Sequence, residues 1–236
     1  MSNSIAQDRA RLDRDGVREI VRGTLRYFAH LTILALAAGS AGWTNAWVYT
    51  GLHLFLQAAY VVTILRFDPR LLNERGKFIQ QDTKAFDKVF YALYAPLTLV
   101  VLVVAGLDAV RWEWSSMPGG LAILGVVVSV PTFFFALWAM VVNPHFETTV
   151  RLQDKHQVCT SGPYRFVRHP GYVSLILFAL LNLLILGSWW AFVPGGVMAL
   201  LAVTRTALED RTLQEELPGY RAYTQVTRYR LLPWAW

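Results

Sequence analysis

The sequence predicts an all-α, polytopic membrane protein with about six transmembrane helices. Three observations carry that expectation. Hydrophobic residues make up 55% of the 236 residues and charged residues only 16%, well under the roughly 25% charged of soluble domains. Apolar stretches long enough to cross a bilayer, which takes about 20 residues, recur along the chain. Of the 22 lysines and arginines, all but Arg111 fall in four segments separated by pairs of those stretches. The mean hydropathy of +0.36 agrees. So do the 9 Trp and 10 Tyr, whose amphipathic rings favour the membrane interface.

The first 26 residues read as an amphipathic segment. Val17, Ile20, Val21, Thr24, Leu25 and Phe28 recur at helical spacing, with Arg14, Arg18, Arg22 and Arg26 in a row. Such a helix can lie on an anionic lipid surface or simply lead into the first span. Charges of both signs run through Glu19, and no short apolar run with a cleavage site follows, so no cleavable signal is expected.

Four spans are expected within residues 27–142. The first two cover about 27–41 and 46–65, joined by an uncharged link with Trp43, Asn45 and Trp47. A basic loop at 66–88 follows. The third span covers 89–110, and a link with Trp112, Trp114, Met117 and Pro118 leads to the fourth at 119–142. Pro131 inside it removes one helix hydrogen bond and should kink it. A polar stretch covers 143–170. The last apolar block, 171–204, is broken at Leu186-Gly187-Ser188-Trp189-Trp190 and reads as a helical hairpin. Six spans put both termini and all the basic segments in one compartment, which the positive-inside rule makes the cytoplasm.

Composition also excludes. The single cysteine, Cys159, rules out an intramolecular disulfide. The net charge of +6 follows the expected membrane topology, so no nucleic-acid partner is expected. His145-x-Glu147 has no further ligands at suitable spacing, and no metal site is expected. His30, His53, Gln57 and Asn182 fall in or near spans, where polar groups most often bond between helices. No repeat divides the chain, which reads as one domain, residues 1–236.

Chemistry gathers on the cytosolic side of this topology. In Gly162-Pro163-Tyr164-Arg165-Phe166-Val167-Arg168-His169-Pro170-Gly171-Tyr172, Gly162-Pro163 reads as a turn. His169-Pro170 reads as a helix start, since proline is favoured at the first helical position. Free N–H groups of that first turn would face a carboxylate or phosphate. Further on, Arg205 and Glu209 stand four apart on one helix face, and Asp210 follows. The plain reading of Arg205 is an interfacial snorkelling side chain paired with Glu209. A third segment holds Leu217-Pro218-Gly219-Tyr220-Arg221-Ala222-Tyr223 and reads as an amphipathic surface helix.

Taken together, these segments resemble the isoprenylcysteine carboxyl methyltransferase family, related to the phospholipid methyltransferases. The resemblance rests on Gly162-Pro163-Tyr164, Arg168-His169-Pro170-x-Tyr172, Arg205 four residues before the acidic pair and x-x-Leu213, and Tyr220-x-x-Tyr223. It covers about residues 160–233. The loop carrying Asp68-Pro69-x-Leu71-Leu72 and Asp82-Thr83-Lys84 resembles bacterial relatives. One departure is Asp210, where the family usually has a second Glu.

The resemblance implies an S-adenosylmethionine site in the half 143–236, opening to the cytosol, with both termini cytoplasmic in a bacterial inner membrane. It implies Tyr164, His169, Pro170, Tyr172, Arg205 and Glu209 as cofactor-binding residues, and Arg205 and Glu209 as catalytic. For the donor's carboxylate the candidates are His169, the first-turn N–H groups and Arg205. Glu209 would hold the ammonium or orient Arg205, and Tyr164 and Tyr172 would pack on the adenine or face the sulfonium. The acceptor it implies is a lipophilic or prenylated molecule entering from the membrane lipids, with a carboxylate, thiol or amine as the methylated group. A membrane reductase of the sterol type, using NADPH, looks similar around Arg-x-His-Pro. The Arg205…Glu209-Asp210-x-x-Leu213 segment favours the methyltransferase.

Overall fold

A computed structural model describes residues 11–77, 83–146, 149–150 and 156–236. Among the described residues every regular element is a helix. The expectations placed on Asp82 and Glu147 lie outside the described residues.

Helix α1 (Arg14–Ala38) joins the amphipathic segment and the first apolar stretch into one rod. Asp13 caps it by accepting the N–H groups of Asp15 and Gly16 at 2.9 and 3.0 Å, the preferred N-cap chemistry. Gly39 ends it with φ of 70°, a left-handed turn that suits glycine. Helix α2 (Thr44–Phe67) follows after a short link. Asp68 both ends α2 and caps α3 (Pro69–Gly76), whose first residue is proline. Helix α3 packs under α1.

Helix α4 (Ala85–Gly106) runs on through a π-helical turn, Leu107–Arg111. Pro96 lies inside it, as Pro131 does inside α5 (Gly119–Val142). Gly106 lets α4 approach α1 closely: a Cβ there would stand 2.7 Å from the Ala37 side chain and 2.8 Å from the Ala38 backbone. After the link come a 3-10 turn (Gly162–Arg165), α6 (Pro170–Leu186), α7 (Phe192–Glu216) and a short α8 (Tyr220–Val226). Residues 187–191 join α6 and α7, which pack on each other, and α5 lies along α6.

Among the described residues, four helices are long and apolar enough to cross a membrane: α2, α4 with its π turn, α5 and α7. Helix α6 is apolar but has only 17 residues, the short limit for a span. Leu36, Val62, Ile123 and Leu200 are largely exposed around the bundle, as suits surfaces facing lipid rather than water.

The two ends of the bundle differ. At one end Asp108, fully buried, accepts hydrogen bonds from Ser115 Oγ (2.8 Å), Ser188 Oγ (2.6 Å) and the Trp190 N–H (3.2 Å). That carboxylate ties the α4–α5 link to the α6–α7 turn. The other end gathers the starts of α4 and α6, the ends of α5 and α7, α3 and α8.

Candidate functional site

The second end encloses a cavity of about 280 Å³, near the lower bound of ligand pockets. Tyr164, His169, Pro170, Tyr172, Arg205 and Glu209 all line it. Residues 40 positions apart in sequence meet because the start of α6 lies beside the end of α7.

Arg205 is held on several sides. Its Nε stands 2.5 Å from Asp87 Oδ1, as an ion pair rather than an aligned hydrogen bond. Its Nη1 donates to Tyr91 Oη at 3.3 Å. Its guanidinium also lies 4.5 Å from the Phe90 ring centroid, 4.9 Å from Tyr91 and 5.3 Å from Tyr172, within cation–π range. The pairing with Glu209 suggested by the i, i+4 spacing is therefore replaced by one with Asp87. A buried charge needs a partner, and α4 supplies it. Asp87 is itself fully buried and accepts the Val150 N–H at 2.8 Å, so it joins α4, α7 and the link before α6.

Glu209 takes a hydrogen bond from Tyr172 Oη at 2.5 Å on Oε2. Its Oε1 stands 3.9 Å from His169 Nδ1, beyond hydrogen-bond range.

Asp210 points elsewhere. It is fully buried and accepts from two of the three guanidinium nitrogens of Arg168, Nε at 2.8 Å and Nη2 at 3.1 Å. Arg230 Nε (2.9 Å), Gln214 Nε2 (2.7 Å) and Tyr220 Oη (3.1 Å) also donate to it. Arg168 also donates to the carbonyls of Thr227 and Arg228 at 3.0 and 2.6 Å. This network pins the C-terminal segment beneath α6. The shorter Asp in place of the family's usual Glu serves it from a buried position.

His169 is shared between network and cavity. Its Nε2 is 3.1 Å from Asp210 Oδ1 and its backbone N–H donates to Arg230 O at 3.0 Å. The expectation of free first-turn N–H groups is reduced by the backbone. Proline has none at 170, and the N–H groups of Tyr172 and Val173 both bond to His169 O. Tyr164 accepts from Asn143 Nδ2 at 2.9 Å, while its carbonyl accepts from Tyr223 Oη at 2.6 Å. Burial pushes the phenols of Tyr164 and Tyr220 above their ordinary range and that of Tyr223 up to about 12, so these hydroxyls stay protonated. Helix α8 thus turns Tyr220 and Tyr223 inward instead of lying free on a surface.

Several groups were not singled out from the sequence: Tyr91, Arg75 and His156, which line the cavity, and Asp87, which pairs with Arg205. Asp87 carries a readable signal, an acid in the first turn of an apolar helix, where charges are costly without a partner. His156 stacks on His145 at 4.4 Å. Burial first, then the His145 ring, lower its imidazole to about 4. Its Nδ1 is buried without a hydrogen-bond partner. Among the described residues no cluster of three His, Cys, Asp or Glu could hold a metal ion.

Fold and site together define a helical protein of the membrane type with a cavity at one end of its bundle into which several polar side chains turn. Residues 123–216 match the isoprenylcysteine carboxyl methyltransferase family, the family whose motifs the sequence carries. The match supports an enzyme of the membrane methyltransferase class. It runs from α5 to the end of α7 and includes all six residues singled out from the sequence. No curated protein matches the chain.

Proposed function

We propose that the protein transfers the methyl group of S-adenosylmethionine to a lipophilic acceptor that reaches the cavity from the bilayer. The observation that carries this reading is the meeting of Tyr164, His169, Tyr172, Arg205 and Glu209 around one cavity, within the segment that matches the family. In this reading α1 and α6 also cross the membrane, giving six spans with α6 and α7 as a hairpin. The basic loops, both termini and the mouth of the cavity then face the cytoplasm of a bacterial inner membrane.

The donor set fits such a methyl donor. Glu209 offers a carboxylate oxygen to an ammonium group. The Tyr172 ring offers a π face to a cation, and the unpartnered His156 Nδ1 offers a neutral nitrogen to a polar edge. His169, with Nδ1 turned toward Glu209, offers a contact to the donor's carboxylate. The sulfonium supplies a methyl group that is already activated, so the protein's contribution is position and electrostatics. Arg205, fixed by Asp87 and three aromatic rings, orients the acceptor against that methyl. A carboxylate acceptor needs no base. A thiol or amine acceptor must lose a proton, and among the described residues Glu209 is the carboxylate lining the cavity that could take it.

The test is a methyl-transfer assay on the purified protein in lipid, with labelled S-adenosylmethionine and prenyl thiol, prenylcysteine, phospholipid and small-thiol acceptors. Label should enter at least one lipophilic acceptor. No transfer to any of them, together with binding of NADPH, would place the protein among the reductases instead.

A further inference from the structure

Among the described residues, Arg75 is a cation of the cavity with no role in the proposed methyl transfer. It comes from α3, outside the segment that matches the family, and it lines the same cavity as Arg205 and Glu209. The other lining arginines have carboxylate partners. Arg205 pairs with Asp87 and Arg168 with Asp210. Among the described residues no carboxylate forms a salt bridge with Arg75. Glu19 lies within its electrostatic reach but is bonded to Arg22 at 2.7 Å.

The guanidinium of Arg75 lies 5.8 Å from the ring centroid of Tyr60 on α2. Arg75 Nε and Tyr60 Oη are both buried, and among the described residues neither makes an aligned hydrogen bond beyond the contact between these two side chains. A buried guanidinium whose nearest partner is a neutral phenol, not a carboxylate, suits an incoming acceptor of hydrogen bonds. The fork of an arginine matches a carboxylate or a phosphate. Tyr91, which accepts from Arg205 Nη1, also lies within electrostatic reach of Arg75. The open cation therefore stands near the transfer residues. Helix α3 follows the end of α2, a helix long and apolar enough to cross a membrane, after a single residue, Asp68; in the six-span reading Arg75 then stands near the level where a lipid headgroup meets its tail. Met140 and Leu175 give the same cavity apolar wall.

We propose that Arg75 forms an anion-binding corner that holds the carboxylate or phosphate headgroup of the lipophilic acceptor. The assignment rests on the methyltransferase reading for the word acceptor, but the anion site can be tested without it. Oleate, oleoyl lysophosphatidate and oleyl alcohol are titrated into the full-length protein in detergent, with native mass spectrometry reading the bound fraction. S-adenosylhomocysteine is titrated in parallel. Arg75→Gln should weaken binding of at least one anionic lipid by about tenfold or more, the scale of a lost charged hydrogen bond. It should leave oleyl alcohol and S-adenosylhomocysteine unchanged. The headgroup with the larger loss identifies the anion. Hydrogen exchange on the wild-type protein gives a readout that needs no variant: that anionic lipid, and not the alcohol, should protect α3. Equal binding of all three lipids by wild type and Arg75→Gln, or no protection of α3, would overturn the proposal. Loss of S-adenosylhomocysteine with lipid binding intact would also overturn it, by giving Arg75 to the methyl donor. A wild-type protein with no affinity for S-adenosylhomocysteine would instead sink the methyltransferase reading, and the lipid series would still decide the anion site.

Discussion

Glu209 and Asp210 are adjacent in sequence and serve opposite sides of α7. Glu209 reaches the cavity beside Tyr172, while Asp210 is buried among Arg168, Arg230, His169, Tyr220 and Gln214. Removing its charge strands buried cations. Asp210→Asn should therefore lower stability by about 3–5 kcal/mol, the scale for breaking a buried ion pair, as read by thermal or denaturant unfolding. Glu209→Gln should leave the melting temperature near that of wild type. The i, i+4 relation of Arg205 and Glu209 was legible in the sequence. The pairing of Arg205 with Asp87 was not, because the two are distant in sequence and meet only through packing of α4 on α7. His156 gives a pH dependence at the same scale. Its folded value, about 4, lies below the ordinary 6.5, so the unfolded chain binds the proton first as pH falls. The stability that neutral His156 contributes is fully present above about 6.5 and is lost as pH falls toward 4. Melting curves between pH 7.5 and 4.5 should show that loss, and His156→Phe should reduce it.

Helix α4 contributes more than a span. Its first turns carry Asp87, Phe90 and Tyr91 to Arg205, although the helix lies outside residues 123–216. Asp87→Asn keeps the shape and removes the charge that orients Arg205. It should lower methyl transfer roughly tenfold or more while S-adenosylhomocysteine affinity changes little, and Asp87→Glu should recover part of the rate. Equal rates for Asp87→Asn and wild type would remove Asp87 from the site. The α5–α6 contact depends on Gly125, where a Cβ would stand 2.8 Å from Ile185 Cγ1 and 3.0 Å from Leu181 O. Gly125→Val should overpack this seam and cost about 1–3 kcal/mol, read by denaturant unfolding. The apolar stretches and the break near Gly187 were legible because composition alone marks them. The merging of the amphipathic segment with the first apolar stretch into α1 was harder to read, since no proline or glycine cap separates them. The inward turn of α8 was hidden for another reason. Its tyrosines are held by Asp210 and the Tyr164 carbonyl, partners that no local pattern shows.

At the scale of the whole molecule, the bundle keeps a buried acid lock around Asp108 at one end and the cavity at the other. The charge asymmetry of the sequence anticipated that the polar chemistry would collect at one end. It could not show which basic residues anchor the protein and which face the cavity, because both kinds stand in the same loops. Arg75 and Arg205 line the cavity, whereas Arg70 and Arg211 pair with acids in exposed positions. In a Cys159→Ser background, a cysteine at Asn45 should react with impermeant maleimide added outside intact cells, and one at Arg228 should not. The reverse pattern would invert the proposed topology. The central claim is that the cavity binds a methyl donor through Glu209, and calorimetric titration of S-adenosylhomocysteine into the purified protein tests it most directly. Binding should be saturable and one-to-one and should fall roughly tenfold or more in Glu209→Gln, with NADPH giving no heat of binding. Saturable binding of NADPH, or S-adenosylhomocysteine affinity unchanged in Glu209→Gln, would contradict it.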